Sequence, residues 1–344
     1  MIYQVHVLHG AQSIASHVLP LGAPAASEVR IKIVCCAICT LEQRLYAGKI
    51  TNYPFAGGHE IAGTIDAIGE DVRNLHVGQK VSVRLLTTCG TCHSCRSGHE
   101  NLCESSFVAK THEGLSGPGG FAEYLTTDAR NVYTFSDATD LGHAALTEPL
   151  ACCVHSIRKA DIQLAETVVV IGAGIMGAFH VRLAKLRGAR VITVEKDVSR
   201  LETARRMGAD ILIDASKTNS VDEVKRLTGS RGADVVFCTA AAPQAAENSL
   251  SMAGKRGRVI LYSSFHPNDP ILVNGNRIHS SESVITGSVN PQIQDFYTAA
   301  SLIDNGLVEM EPLITAQIPA REIDRAFELA LKPESYRVLV TYPL

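Results

Sequence analysis

Two rhythms of apolar and polar positions divide the chain. Up to about residue 150 the apolar positions come in short stretches such as VRIKIVCCAI, GTIDAIGEDV and GQKVSVRLL, broken about every ten residues by Gly, Pro and polar turns. That pattern predicts a small, mostly antiparallel β domain. From about residue 165, apolar strands ETVVVIG, RVITVEK, DILID, ADVVFCTAA and GRVILYSS alternate with helical patterns AFHVRLAKLRGA, SRLETARRMGA, VDEVKRLTG and PQAAENSLSMAG. Such alternation predicts βαβ units and a parallel sheet covered by helices on both faces. VITGS at 284–288 closes that sheet, and beyond 291 the helical stretches FYTAASLIDNG and REIDRAFELALK precede a terminal strand YRVLVTY. No repeat, low-complexity tract or long linker intervenes, so the two regions are expected to pack together with a cleft between them.

Composition narrows the partners. With 344 residues, 46% of them hydrophobic, and a formal charge of −3, the chain can bury a core large enough for two domains. It lacks the clustered Lys and Arg that a nucleic acid or an anionic membrane surface requires. The opening MIYQVHVLHGAQ shows no basic start followed by an apolar core, and no apolar run reaches the length of a membrane span. A cytoplasmic address is therefore expected. Thiols stay reduced there, so the ten cysteines read as metal ligands or small buried hydrophobes before they read as disulfides.

Four of the cysteines crowd into TCGTCHSCRSGHENLC, where Cys89, Cys92, Cys95 and Cys103 follow the spacing C-x2-C-x2-C-x7-C. Short loops of this kind bring thiolates together at about 2.3 Å from one tetrahedral Zn²⁺. Four sulfurs leave no open position, so this zinc would shape the loop and do no chemistry. His93 and His99 within the loop then read as surface residues.

A second set is spread more widely: Cys39 in CCAICTLEQ, His59 and Glu60 in GGHEIAG, and Glu148 in TEPLACC. Alone these residue types mean little, because buried cysteines and satisfied histidines are common in cores. Together they fit an open zinc site, with thiolate, imidazole and carboxylate leaving a fourth position for water or an alcohol oxygen. Cys35, Cys36, Cys152, Cys153 and Cys238 lie in apolar surroundings and read as core, as do Phe121, Tyr124 and, by packing, His155.

The third motif is GAGIMG, comprising Gly172, Gly174, Ile175, Met176 and Gly177 around Ala173; it follows the apolar run TVVVI and opens an amphipathic helix. In that context Gly172 permits a tight turn, Gly174 lets the backbone approach a pyrophosphate, and Gly177 allows close packing of helix on strand. The helix N-terminus offers unpaired N–H groups to the phosphates. Glu195 ends the next strand, where a carboxylate can hydrogen-bond both ribose hydroxyls and repel a 2′-phosphate. This favours NAD over NADP, with Lys196 and Arg200 arguing the other way.

Taken in order, CAIC, GGHEIAG, NLHVGQKVSV, the four-cysteine loop, GGFAEYLTT, TEPLACC and GAGIMG resemble the zinc-dependent medium-chain alcohol dehydrogenases, in particular the branch of sorbitol, butanediol and threonine dehydrogenases. The resemblance covers nearly the whole chain. It implies an α/β protein in which a GroES-like β-barrel catalytic domain, residues 1–150 completed by 289–344, surrounds a Rossmann doubly wound parallel sheet at 151–288. It implies Cys39 and His59 as ligands of the catalytic zinc, with Glu60 and Glu148 competing for the third protein position or reaching the metal through water. The implied chemistry is hydride transfer between an alcohol and the nicotinamide, helped by a metal that lowers the pKa of the hydroxyl it binds.

This sequence departs from that family at one functional place. The second residue after Cys39 is Leu41, where many relatives have a Ser or Thr that carries the proton away, and leucine cannot relay one. Thr40, Glu60, Glu148, His155 or water takes over, or the substrate's own adjacent hydroxyl helps, a carboxylate and water route being the one expected. The expected substrate is a small secondary alcohol with an adjacent hydroxyl: first a sugar alcohol or polyhydroxy acid, then a threonine-like amino alcohol, and last a simple alcohol. A homodimer or homotetramer through exposed strands of the Rossmann sheet is also expected. Two other readings stay open. A zinc-free NADPH-dependent quinone or enoyl reductase on the same scaffold would need neither zinc set, and a non-catalytic zinc and nucleotide-binding protein would leave the open site without a use. Metal content separates the three.

Overall fold

The computed structural model describes residues 2–106, 111–112, 114–265 and 268–343. Its chain divides into two compact units, one formed by Met1–Ala151 and Gln292–Leu344, the other by Cys152–Pro291.

In the first unit the main sheet has seven strands. Its order is Ile314–Pro319, Arg337–Thr341, Glu28–Ala37, Glu60–Ile68, Lys80–Val83, Val132–Thr134, with Tyr124–Asp128 also paired to Glu28–Ala37. Every pairing is antiparallel except that of Ile314–Pro319 with Arg337–Thr341. Strand Glu28–Ala37 shows why the sequence folds this way: Val29, Ile31 and Ile33 are fully buried, while the residues between them are only half-buried. At Val34 a bulge breaks the alternation, and Cys35, Cys36 and Ala37 are then all buried. The strand thus enters the core just before Cys39. Opposite it, Gly63 lets the strands close up, since a Cβ there would stand 2.1 Å from Lys32 O. Helix Ile323–Ala330 lays Phe327 against Tyr46 and Phe121, at ring-centroid distances of 4.9 and 5.5 Å. Each such buried ring contributes roughly 1.5–3 kcal/mol.

The second unit is a six-stranded, wholly parallel sheet. Its order is Ile211–Asp214, Arg190–Glu195, Thr167–Ile171, Ala233–Cys238, Ala253–Leu261, Val284–Gly287. This is the doubly wound order, in which the chain starts in the middle, runs to one edge, and returns to build the other side. The central strand Thr167–Ile171 is buried at all five positions, as its unbroken apolar run requires of a strand covered on both faces. The helical pattern read through Gly254 stops at Met252, because Ala253 pairs with Ala233 and begins the next strand, which carries an irregularity before Arg258. Helix Gly275–Ser281 had no clear signal in the sequence. No helix among the described residues is long and apolar enough to cross a membrane.

Candidate functional site

Cys39 sits at the mouth of helix Thr40–Tyr46, as its extended N-cap residue. One turn on, Glu42 is completely buried. Its Oε1 accepts the Gly58 N–H at 3.0 Å and lies 2.9 Å from His59 Nδ1. Glycine is what permits this approach. Gly58 has φ +91°, and a Cβ on it would stand 2.5 Å from Phe121 N; one on Gly57 would stand 2.9 Å from Glu42 Cγ. With Nδ1 held by Glu42, the Nε2 lone pair of His59 is left for a metal.

Donor atoms of Cys39, Glu42 and His59 lie within 4.8 Å of one another, and so do those of His59, Glu60 and Glu148. The four residues singled out in the sequence are therefore neighbours. Glu60 is committed elsewhere too: Arg337 donates Nε to Oε2 and Nη2 to Oε1, each at 2.8 Å, and both residues are buried. Arg337 Nη2 also lies 3.8 Å from Cys39 Sγ.

The charges in this pocket lean on each other. Burial pulls the His59 pKa down, but Glu42 and Cys39 outweigh it and hold the ring well above the usual histidine value. Burial raises Glu42, and the bonds from His59 and Gly58 more than reverse that. Burial and then Glu60 raise the Cys39 thiol against the pull of His59 and Arg337. Two buried acidic donors thus ask for positive charge between them, which a divalent ion can supply once His59 and Cys39 give up their protons. Glu42 Oε2, buried and without a hydrogen-bond partner among the described residues, points the same way.

The four-cysteine loop is already gathered. Cys89 and Cys95 sulfurs are 4.0 Å apart, as are those of Cys92 and Cys103, and all four lie within 4.8 Å of one another. Tetrahedral zinc with bonds of about 2.3 Å needs sulfur separations of about 3.8 Å. Backbone N–H groups of Thr91 and Cys92 donate to Cys89 Sγ at 3.4 and 3.3 Å, and that of Cys95 to Cys92 Sγ at 3.5 Å. Bonds from Thr91 lead in bringing Cys89 down to about 5, whereas loss of water, with bonds from neighbouring thiols, pushes Cys95 up to about 12. Without a cation the four cannot ionise together. His93 and His99 are exposed and stand outside the cluster.

In the second unit, GAGIMG forms the turn between strand Thr167–Ile171 and helix Ile175–Leu186. Gly172 has φ +94°, and a Cβ on Gly177 would stand 1.9 Å from Gly172 O. Gly174 meets no such wall: its nearest neighbour would be Arg200 Nη1 at 3.5 Å, which leaves its face open to a phosphate. Glu195 ends strand Arg190–Glu195, and its Oε2 accepts the Ala173 N–H at 2.8 Å while Oε1 accepts those of Lys196 and Asp197 at 2.6 and 3.2 Å. This carboxylate is fastened to the glycine turn. Ile175 is buried behind it, Met176 gives its carbonyl to His180 Nδ1 at 2.7 Å, and Lys196 lines a polar cavity with Asn219 and Lys225.

Cys35, Cys36, Cys153, Cys238 and Phe121 are core, and His155 is buried with Arg158 Nη2 3.4 Å from its Nδ1. Cys152 and Tyr124 are only half-buried. Leu41 is 40% exposed, as a residue pointing out of the core. Sequence reasoning missed Glu42 and Arg337. Glu42 had a signal in its place one helical turn after Cys39; Arg337, 277 residues from Glu60, had none.

Comparison with known proteins agrees with this geometry. Residues 25–137 match the alcohol dehydrogenase GroES-like domain, and residues 176–305 the zinc-binding dehydrogenase domain. Sorbitol dehydrogenase of Bacillus subtilis strain 168 is 31% identical over 346 residues, covering 98% of this chain and 96% of that protein. A zinc-binding dehydrogenase of Sinorhizobium meliloti 1021, solved bound to NADP, superposes with a TM-score of 0.90 at 25% identity, over 99% of this chain and 100% of that one. A short chain alcohol dehydrogenase of Escherichia coli CFT073, solved with NADH, does so with a TM-score of 0.89 at 27% identity, over 99% of both chains. With its GroES-like and Rossmann parts, the chain belongs to the zinc-type medium-chain dehydrogenases and is an alcohol oxidoreductase of that family.

Proposed function

We propose that the chain oxidises a secondary alcohol flanked by a second hydroxyl, a sugar alcohol or polyhydroxy acid ahead of a threonine-like amino alcohol, and that it reduces NAD rather than NADP. The observation that carries this reading is the clamp of Glu42 on His59 beside Cys39, because it prepares an imidazole and a thiol to share one ion. In this reading Cys39, His59 and Glu148 hold the catalytic zinc, and Cys89, Cys92, Cys95 and Cys103 hold a structural one. Glu148 is placed ahead of Glu60 because Glu60 gives both oxygens to Arg337. The polyol preference is supported by the likeness to sorbitol dehydrogenase. The two solved relatives bind different dinucleotides, so the preference for NAD rests on Glu195. We also expect a homodimer or homotetramer, with the sheet edge Val284–Gly287 as the pairing strand.

When bound, zinc lowers the pKa of a hydroxyl it contacts and the nicotinamide accepts hydride. The rest is the work of the side chains. Glu42 fixes the tautomer and angle of His59. Arg337 stabilises the Cys39 thiolate and neutralises Glu60 within the same pocket. Leu41 has no proton to give or take, so the substrate proton leaves through water along the carboxylates of the pocket, Glu60 and Glu148, and on to solvent. On the second unit, Gly174 and the helix N-terminus receive the pyrophosphate, and Glu195 takes the ribose hydroxyls.

The test is a screen of NAD and NADP reduction by zinc-loaded protein across polyols, vicinal diols and hydroxy amino acids. NAD reduction with polyols is expected. Turnover with NADP alone would remove the role given to Glu195, and full turnover of zinc-loaded Glu148→Gln and Glu60→Gln would remove the carboxylate route.

A further inference from the structure

Two short bridges tie the cysteine loop to the place where the chain re-enters the first unit. Gln292 opens that returning segment and is the N-cap residue of helix Ile293–Asp304. In the loop, the Gly98 N–H donates to Cys95 O at 3.2 Å, and the Cys103 N–H donates to Glu100 O at 3.1 Å. The same two loop residues then reach the helix. Gly98 O accepts Gln292 Nε2 at 2.6 Å, and Glu100 Oε1 accepts the Ile293 N–H at 2.9 Å. Each bridge is thus a pair of hydrogen bonds, one on a cysteine of the cluster and one on the helix start.

The helix needs these partners. The first N–H groups of a helix find no acceptor inside it. The capping box of Gln292 and Asp295 satisfies the N–H groups of those two residues, and the Ile293 N–H is met by a carboxylate 193 positions away in the chain, whose charge also suits the positive end of the helix. Gln292 is only 5% exposed, so its amide has little water to turn to if Gly98 moves. The rest of the helix has fastenings of its own. Phe296 packs on Tyr133 at 4.6 Å between ring centroids, and Asp304 Oδ1 accepts the Ser136 N–H and hydroxyl at 2.9 Å each.

We propose that the loaded four-cysteine centre anchors this re-entry, with Glu100 and Gln292 as the positioning residues that couple metal on the loop to the first turn of helix Ile293–Asp304. A metal shared by Cys95 and Cys103 pins both ends of the segment that carries Gly98 and Glu100. The two acceptors are then fixed where Gln292 and Ile293 donate. The coupling runs both ways: whatever the metal adds to the docking of the helix start, the docked start adds to the retention of the metal. The inference rests on the structural-zinc reading above and adds two residues outside the ligand set.

The test uses the Cys39→Ser protein, so that only the cysteine loop binds metal. First, that protein must retain zinc; if it retains none, the structural-zinc reading itself fails, and this inference with it. Zinc is then stripped with a chelator, and amide hydrogen exchange is followed by mass spectrometry along the helix. Exchange about 10-fold faster is expected at the first turn, with the turn that ends at Asp304 unmoved. In the reverse direction, Glu100→Ala and Gln292→Ala are compared for zinc transfer to a chromophoric chelator. Zinc affinity weaker by about 5-fold or more is expected in whichever variant folds, with Glu100→Gln closer to the parent because it keeps an acceptor for the Ile293 N–H. Exchange unchanged at the first turn, or quickened equally at both ends of the helix, would overturn the proposal, as would zinc retention unchanged in both alanine variants.

Discussion

Glu42 Oε1 lies 2.9 Å from His59 Nδ1, and the same oxygen accepts the Gly58 N–H. A carboxylate completely buried in the core thereby decides which nitrogen of the histidine is available. Replacing it should act on the metal before it acts on anything else. Glu42→Gln is expected to fold, to keep the zinc of the cysteine loop, and to bind the catalytic zinc 10- to 100-fold more weakly. Metal titration followed by atomic spectrometry reads this directly.

The Glu60–Arg337 pair is the other buried charge in the site, bidentate and closed to water. Removing one partner leaves a charge stranded, which costs about 3–5 kcal/mol. Glu60→Gln and Arg337→Met should each lower the denaturation midpoint steeply. The double variant should lose much less than the sum of the two, as a double-mutant cycle in urea would show.

Gly174 and Gly177 belong to one motif but answer to different constraints. A methyl on Gly177 would collide with Gly172 O, so Gly177→Ala should both destabilise the second unit and abolish dinucleotide binding. Gly174 has φ −65° and room for a Cβ. Gly174→Ala should therefore fold with stability within about 1 kcal/mol of the parent, while its affinity for dinucleotide falls. Thermal unfolding and fluorescence titration with NADH separate the two effects.

His180 is fully buried in the second unit, with its Nδ1–H on the Met176 carbonyl and its Nε2 accepting from Ser156 at 2.8 Å. Burial lowers its pKa to about 4 from an ordinary 6.5. The unfolded chain thus binds the proton more readily between those values. The neutral ring contributes its full stability above about pH 6.5 and loses it as pH falls toward 4, by roughly 3 kcal/mol in all. Unfolding free energies of the parent and of His180→Gln, measured from pH 7 to pH 4, should differ by a slope of that sign. Parallel curves would contradict it.

What the sequence disclosed followed the range of the interaction. The cysteine loop was legible because its ligands lie within a few residues of each other, and spacing alone brings their sulfurs together. GAGIMG was legible because a strand, a tight turn and a helix follow one another in the chain. The parallel strands of the second unit showed as unbroken apolar runs, since both faces are covered. Glu42 stayed hidden in TLEQRLY, where a carboxylate reads as part of a solvated helix face and only tertiary packing buries it. Arg337 was silent for a related reason: whether a guanidinium is paired depends on chain segments far away in sequence.

The proposed chemistry needs an open zinc site built on Cys39 and His59. Zinc content per chain, measured by atomic spectrometry in the parent and in Cys39→Ser, decides whether it exists. About two ions are expected in the parent and about one in the variant, the one kept by the four cysteines. The same content in both proteins, whether one ion or two, would contradict it.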